Sequence, residues 1–359
     1  MVEGRHCKSK ARGKDRTLTD MLTPGERRGW FGCYSRSSIR CPNHQHPMRI
    51  SFCCTDTSPE PWLQGLRAAL PEATLELWQP GAAAADYAVV WAPPQRFLDE
   101  QSGIKALFNI GAGVDALLGL RLPPQTRVVR LDDAGMSVQM AEYVCHAVIR
   151  HFREFDGYQA DVALGKWSYR KPRRRQDFPV GVMGLGVLGQ RVSRALAQFD
   201  FPVTGWSRSA KSIPGVQCFS GNASVNCFND FLAATRILVC LLPLTPDTEN
   251  IMCEGTLARL QPGGYVINVA RGSHLVDADL IALLDSGQLA GATLDVFRTE
   301  PLPAAHPFWR HPKITVTPHT SARTLRDESI AQIAGKIKAL ENGAPIASLA
   351  GVVDPKIGY

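Results

Sequence analysis

Three segments in the last third of the chain put ionisable side chains at the ends of apolar runs: NVARGSHLVD around Arg271, LDVFRTEPLP around Glu300 and TVTPHTSA around His319. An arginine can hold a carboxylate through paired N–H···O bonds and polarise a neighbouring carbonyl. A histidine can pass a proton near neutral pH, and an acid on its other ring nitrogen fixes the tautomer and favours the charged ring. Together the three residue types fit reversible reduction of an α-keto acid, with Arg271 clamping the substrate, His319 giving the proton and Glu300 orienting His319. Taken singly, each has a plainer reading: a helix-end cation, a surface acid before Pro301 and a core histidine.

Such a reaction needs a hydride donor, and a dinucleotide signature lies upstream. VMGLGVLG, residues 182–189, sets Gly184, Gly186 and Gly189 between the apolar strand PVGVMG and the helical run QRVSRALAQF. Gly184 permits a tight turn, Gly186 lets the backbone approach a pyrophosphate, and Gly189 allows close helix packing. The helix opening at Val187 and Leu188 presents unpaired N–H groups to the anion.

The next strand, VTGW, ends where an NAD site carries an acid for the ribose hydroxyl, and here Ser207 and Arg208 follow, with Lys211 close behind. A guanidinium suits a 2'-phosphate that a carboxylate would repel, so the stretch predicts NADPH, with NADH weaker. The plainer reading makes both cations solvated surface residues. Pro243 and Ala270, which close RILVCLLP and GYVINVA, complete the expected cofactor lining.

The elements that must position these groups alternate. RISFCC reads as a strand, PWLQGLRAALP as a helix, and LELWQP and YAVVWAPP as strands ended by proline. SVQMAEYVCHAVIRHFREF predicts one helix over Ser137–Phe155, crossing into a second alternating region, and IAQIAGKIKALENG predicts a C-terminal helix ending at Gly343. This pattern implies parallel sheets covered by helices. Gly111, Gly113 and the crossings near 139–141 and 320–322 are candidate hinges. The long helix, with large apolar residues at helical spacing, is expected to join a homodimer.

Length and charge bound the rest. A chain of 359 residues can hold two full-sized cores. Of the formal net charge of +7, residues 1–47 carry ten Lys/Arg against four Asp/Glu, leaving the remainder near neutral, so nucleic acid is not an expected partner. The ten cysteines form no regular framework, and Cys33, Cys41, His44 and His46 do not have a usual zinc spacing, so no metal is expected. Without an apolar membrane-length run or a signal-peptide core, the expectation is a cytoplasmic protein. Residues 1–47 read as a disordered leader, or as an upstream start or a non-native addition.

NVARGSHLVD, the LDVF and EPLP run and TVTPH resemble the D-2-hydroxyacid dehydrogenases, most closely their glyoxylate/hydroxypyruvate reductase A group. The resemblance runs from Met48 to Tyr359 and takes in YAVVWAPP, FNIGAGVDALL, the WSRS stretch and the closing GY. It implies a Rossmann-type cofactor domain, 141–320, inserted into a flavodoxin-like substrate domain, 48–140 and 321–359. It implies catalytic Arg271, Glu300 and His319, Asp295 near the nicotinamide carboxamide, backbone of Ala112 and Gly113 near the substrate carboxylate, and Trp91 over a small substrate. The implied reactions are glyoxylate to glycolate and hydroxypyruvate to D-glycerate. A bulkier keto acid of the phenylpyruvate kind, or a corepressor-like protein that senses the dinucleotide, are the alternatives.

Overall fold

In the computed structural model the apolar runs become parallel strands in two sheets, described for residues 47–359 apart from Asp56, 222–226, 355–357 and Tyr359. Residues 1–46, with Cys33, Cys41, His44 and His46, lie outside the described residues. The first sheet uses β1 (Arg49–Cys54), β2 (Thr74–Leu77), β3 (Tyr87–Trp91), β4 (Ala106–Asn109) and β5 (Arg127–Arg130), ordered β2-β1-β3-β4-β5. That is the flavodoxin-like order, reversing between β1 and β3.

The second sheet uses β6 (Val180–Met183), β7 (Val203–Ser207), β8 (Val216–Ser220), β9 (Ile237–Cys240), β10 (Gly264–Asn268), β11 (Leu289–Leu294) and β12 (Ile314–Val316). Its order, β12-β11-β10-β9-β6-β7-β8, is the doubly wound Rossmann order, reversing between β6 and β9. β6, β9 and β10 are buried along their whole length, as strands covered on both faces must be.

The helix Arg326–Glu341 returns to the first sheet: Ile330, Ile333, Ala334 and Ile337 share a core with Ile50, Phe52, Trp62 and Leu66. The chain therefore leaves the first sheet, builds the second and comes back. The outward crossing ends in the helix Met136–Phe152, whose Val144, Val148 and Phe152 pack with Val180, Val182 and Ile267 of the second sheet.

Three expectations about this helix are corrected. It does not run unbroken to Phe155: Glu154 adopts φ 55, which ends one helix, and another begins at Phe155–Ala163. Nor does it present an apolar face to solvent, since Met140, Ala141, Val144, Cys145 and Val148 are buried and Val138 is its exposed large apolar residue. The expected hinge at 139–141 also lies inside helical hydrogen bonding, which leaves little freedom there. The unusual backbone is just upstream, at Ala134 (φ 47) and Gly135 (φ 79).

Candidate active site

The cofactor side begins where β6 ends. Gly184 has φ 101, and a Cβ there would stand 2.6 Å from the Leu241 carbonyl oxygen, so only glycine fits the turn. A Cβ on Gly189 would collide with the Gly184 carbonyl, which keeps the helix Val187–Gln198 against the strand. At Gly186 the same construction meets nothing within 4 Å, leaving an open approach to the helix N-terminus. Val187 is exposed and Leu188 half-buried there. A dinucleotide pyrophosphate fits this cradle of bare backbone.

Ser207 closes β7, buried, with its hydroxyl donating to the Ser209 carbonyl at 2.8 Å. Arg208 and Lys211 follow on the exposed surface of that loop. Pro243 and Ala270 stand beyond the ends of β9 and β10. The carbonyls of Pro243 and Arg271 face the two ring nitrogens of buried His274, at 3.3 and 3.2 Å. Burial pushes the His274 pKa down, and a neutral ring donates to one of these carbonyls at a time.

Arg271 emerges from β10 and reaches across to the first sheet. Its Nε lies 3.1 and 3.3 Å from the two carboxylate oxygens of Asp115, and a terminal nitrogen lies 3.1 Å from one of them. The other terminal nitrogen donates to the Ala270 carbonyl at 2.7 Å. The guanidinium rests directly over Gly113, where any Cβ would collide with it. Ala112 and Gly113 are held beneath it by buried Asn109, whose side chain donates to the carbonyls of Gly111 and Gly113 at 3.0 and 2.9 Å. The Trp91 ring packs on Gly111, again where a side chain could not fit, so the expected aromatic flanks this same loop.

His319 and Glu300 meet beyond the ends of the second sheet. Nδ1 of His319 lies 2.8 Å from Oε2 of Glu300, and Oε1 of Glu300 accepts from the Phe297 N–H at 2.9 Å. The imidazole thus has its Nδ1 committed, and Nε2 is its other polar atom. His319 itself sits at φ 52. Gly272 packs on the backbone of Phe297 and Arg298, which brings the Arg271 turn against the segment leading to Glu300. Asp295 is fully buried, its carboxylate accepting from the Thr317 hydroxyl and the Thr320 and Ser321 N–H groups.

The structure brings His319 and Glu300 into direct contact, while Arg271 pairs with Asp115. Asp115 and the loop-shaping Asn109 were not among the expected site residues. Asp115 had a visible signal, an acid two positions past Gly113 in GAGVD.

Residues 145–321 match the family model described as D-isomer specific 2-hydroxyacid dehydrogenase, NAD binding domain. Over 319 residues the chain is 46% identical to a glyoxylate/hydroxypyruvate reductase A of Serratia proteamaculans, covering 87% of this chain and 100% of that protein. The chain belongs to the D-isomer specific 2-hydroxyacid dehydrogenases. Among solved members of this dehydrogenase family, one from Xanthobacter autotrophicus in complex with NADPH and MES superposes with a TM-score of 0.82 at 38% identity, covering 88% of this chain and all of that one. An NADPH-dependent glyoxylate/hydroxypyruvate reductase of Sinorhizobium meliloti, in complex with NADP and sulfate, gives 0.80 at 34% identity, covering 87% of this chain and all of that one. The dehydrogenase fold thus extends over both sheets.

Proposed function

We propose that this protein reduces small 2-keto acids with NADPH, glyoxylate to glycolate and hydroxypyruvate to D-glycerate. The observation that carries the proposal is the His319–Glu300 pair on the same second sheet as Arg271, whose guanidinium is fixed over the Gly113 loop. The names of the Serratia and Sinorhizobium relatives support the substrates.

The backbone of Gly184, Gly186, Val187, Leu188 and Gly189 would hold the pyrophosphate, Ser207, Arg208 and Lys211 the 2'-phosphate, and Pro243, Ala270 and Asp295 the nicotinamide end. Bound NADPH supplies the hydride that adds to the carbonyl carbon. Arg271 and the N–H groups of Ala112 and Gly113 bind the substrate carboxylate, and Arg271 polarises the carbonyl. Nε2 of His319 gives a proton to the oxygen as the C–O double bond becomes single. Glu300 orients the imidazole through its contact with Nδ1. With its side chain 45% exposed, His319 can recover its proton from solvent. Trp91 limits the room above a small substrate.

We also assign 48–140 with 321–359, and 141–320, as the two bodies that close on the substrate. A second copy is proposed to cover the exposed apolar residues Val162, Leu164, Trp167 and Tyr169; a monomer in sedimentation at micromolar concentration would reject that assignment. The free cysteines suit a reducing compartment, and we place the enzyme in the cytoplasm.

The test is loss of NADPH or NADH absorbance with glyoxylate, hydroxypyruvate and phenylpyruvate. Turnover of the two small acids with NADPH preferred, and Arg208→Ala weakening NADPH more than NADH, is expected. Preferred turnover of phenylpyruvate would overturn the substrate assignment, and NADPH binding with no turnover would overturn the enzymatic one.

A further inference from the structure

The loop carrying His319 is built on Asp295. The Asp295 backbone carbonyl accepts from the His319 N–H at 2.8 Å, and its carboxylate accepts from Thr320 and Ser321 N–H groups at 2.8 Å each and from the Thr317 hydroxyl at 2.6 Å. A fully buried carboxylate needs such donors. His319 in turn needs to be held, because a positive φ is a costly conformation for a residue with a side chain.

Thr317 has a second partner. Its hydroxyl lies 2.5 Å from that of Tyr143, on the crossing helix Met136–Phe152. Burial pushes the Tyr143 phenol up to about 12, so it keeps its proton. The hydrogen bonds therefore run one way: Tyr143 donates to Thr317, and Thr317 donates to Asp295. Valine could fill the shape of Thr317, but it would leave Asp295 short of a donor and the Tyr143 hydroxyl without its acceptor.

We propose that Tyr143, Thr317 and Asp295 form a positioning relay that sets His319 for proton donation, linking the helix that crosses between the sheets to the residue that moves the proton. The proposal rests on the reductase reading above. Tyr143 and Thr317 bond to each other and to Asp295, so they act through the His319 loop. Their effect should therefore fall on turnover more than on binding.

The experiment compares Thr317→Val, Thr317→Ser and Tyr143→Phe in the full chain. It reads kcat and KM for glyoxylate, the solvent deuterium isotope effect, NADPH affinity by fluorescence and thermal melting. Thr317→Val is expected to lose about 10- to 100-fold in kcat and show a larger solvent isotope effect. Its KM should stay near wild type, and NADPH affinity, which reaches Thr317 only through Asp295, should fall much less than kcat. Thr317→Ser, which keeps the hydroxyl, should stay within about threefold of wild type, and Tyr143→Phe should show a smaller loss of the same kind.

A Thr317→Val enzyme that turns over like wild type overturns the relay. So does a joint loss of activity, NADPH affinity and melting temperature that serine does not rescue. If Thr317→Val does not fold, wild-type kcat in Tyr143→Phe overturns it. An inactive wild type is the separate failure of the reductase reading.

Discussion

The two sheets wind alike and part company just beyond their first strands. Beyond β1 comes a helix that opens on Pro59, whose missing N–H removes a group an anion could use. β6 leads into the Gly184–Gly186 turn and a helix whose N-terminus is open. Further on they use the same device. Asn109 ends β4 and Asn268 ends β10, both buried, and each donates to backbone carbonyls of the loop beyond it, the Gly111–Gly113 loop in one and Arg271 in the other. One topology thus carries the dinucleotide turn in one sheet and, in the function proposed above, the substrate loop in the other, and the difference lies in turn chemistry.

That contrast can be broken most severely at the loop where the sheets meet. Arg271→Ala should reduce kcat/KM by about 10²- to 10³-fold, since charge-directed positioning of the carbonyl is lost; steady-state kinetics with unchanged NADPH affinity would check it. Gly184→Ala should strike the other function. A Cβ 2.6 Å from the Leu241 oxygen at φ 101 costs of order 1–3 kcal/mol, read as weaker NADPH binding and a lower melting temperature.

Asp115→Asn is expected to lower kcat roughly tenfold through loss of the fixed guanidinium. Its KM should change less, because the deleted charge also repelled the anionic substrate. A rise in KM at unchanged kcat would contradict this division.

Acid should weaken the second sheet in particular. Burial, then the charges of Arg173 and Arg236, lower His151 from 6.5 to about 4, and its ring stacks 4.1 Å from Tyr265 of β10. A depressed histidine pKa means the unfolded chain binds the proton first. Stability is therefore level above pH 6.5, falls as pH drops toward 4 and levels again, by up to ~3 kcal/mol. Urea midpoints at pH 7 and near 4.5 would measure the loss, and His151→Gln should flatten the slope. Smallest of all, Ser58→Ala should leave melting and NADPH affinity unchanged, because the Ser58 side chain makes no capping bond at the first sheet's corresponding turn.

The strands were legible because buried parallel strands are short apolar runs, and the glycine turn because its spacing is dictated by close backbone approach. Glu300 and His319 were legible as polar residues at strand ends. The pairing of Asp115 with Arg271 was not, because the two stand 156 positions apart and only the meeting of two sheets joins them. Asn109 and Asn268 read in sequence as ordinary strand-end polar residues, although their bonds shape both loops. The helix end at Glu154 was hidden as well, since a left-handed glutamate carries no local mark of the kind glycine provides.

The two crossings between the sheets run side by side. The Leu325 N–H donates to the Ala134 carbonyl at 2.8 Å, and the Gln139 side chain donates to the Arg323 carbonyl at 2.8 Å while accepting from its N–H at 3.3 Å. A body tethered by one strand can swivel in any sense. Tethered by two that are stitched together, it turns freely about a single line, and twisting across that line would have to break the stitches. If the two bodies proposed above move against each other, these bonds leave them one soft degree of freedom, and a single spectroscopic distance between the two sheets is expected to follow the motion from end to end.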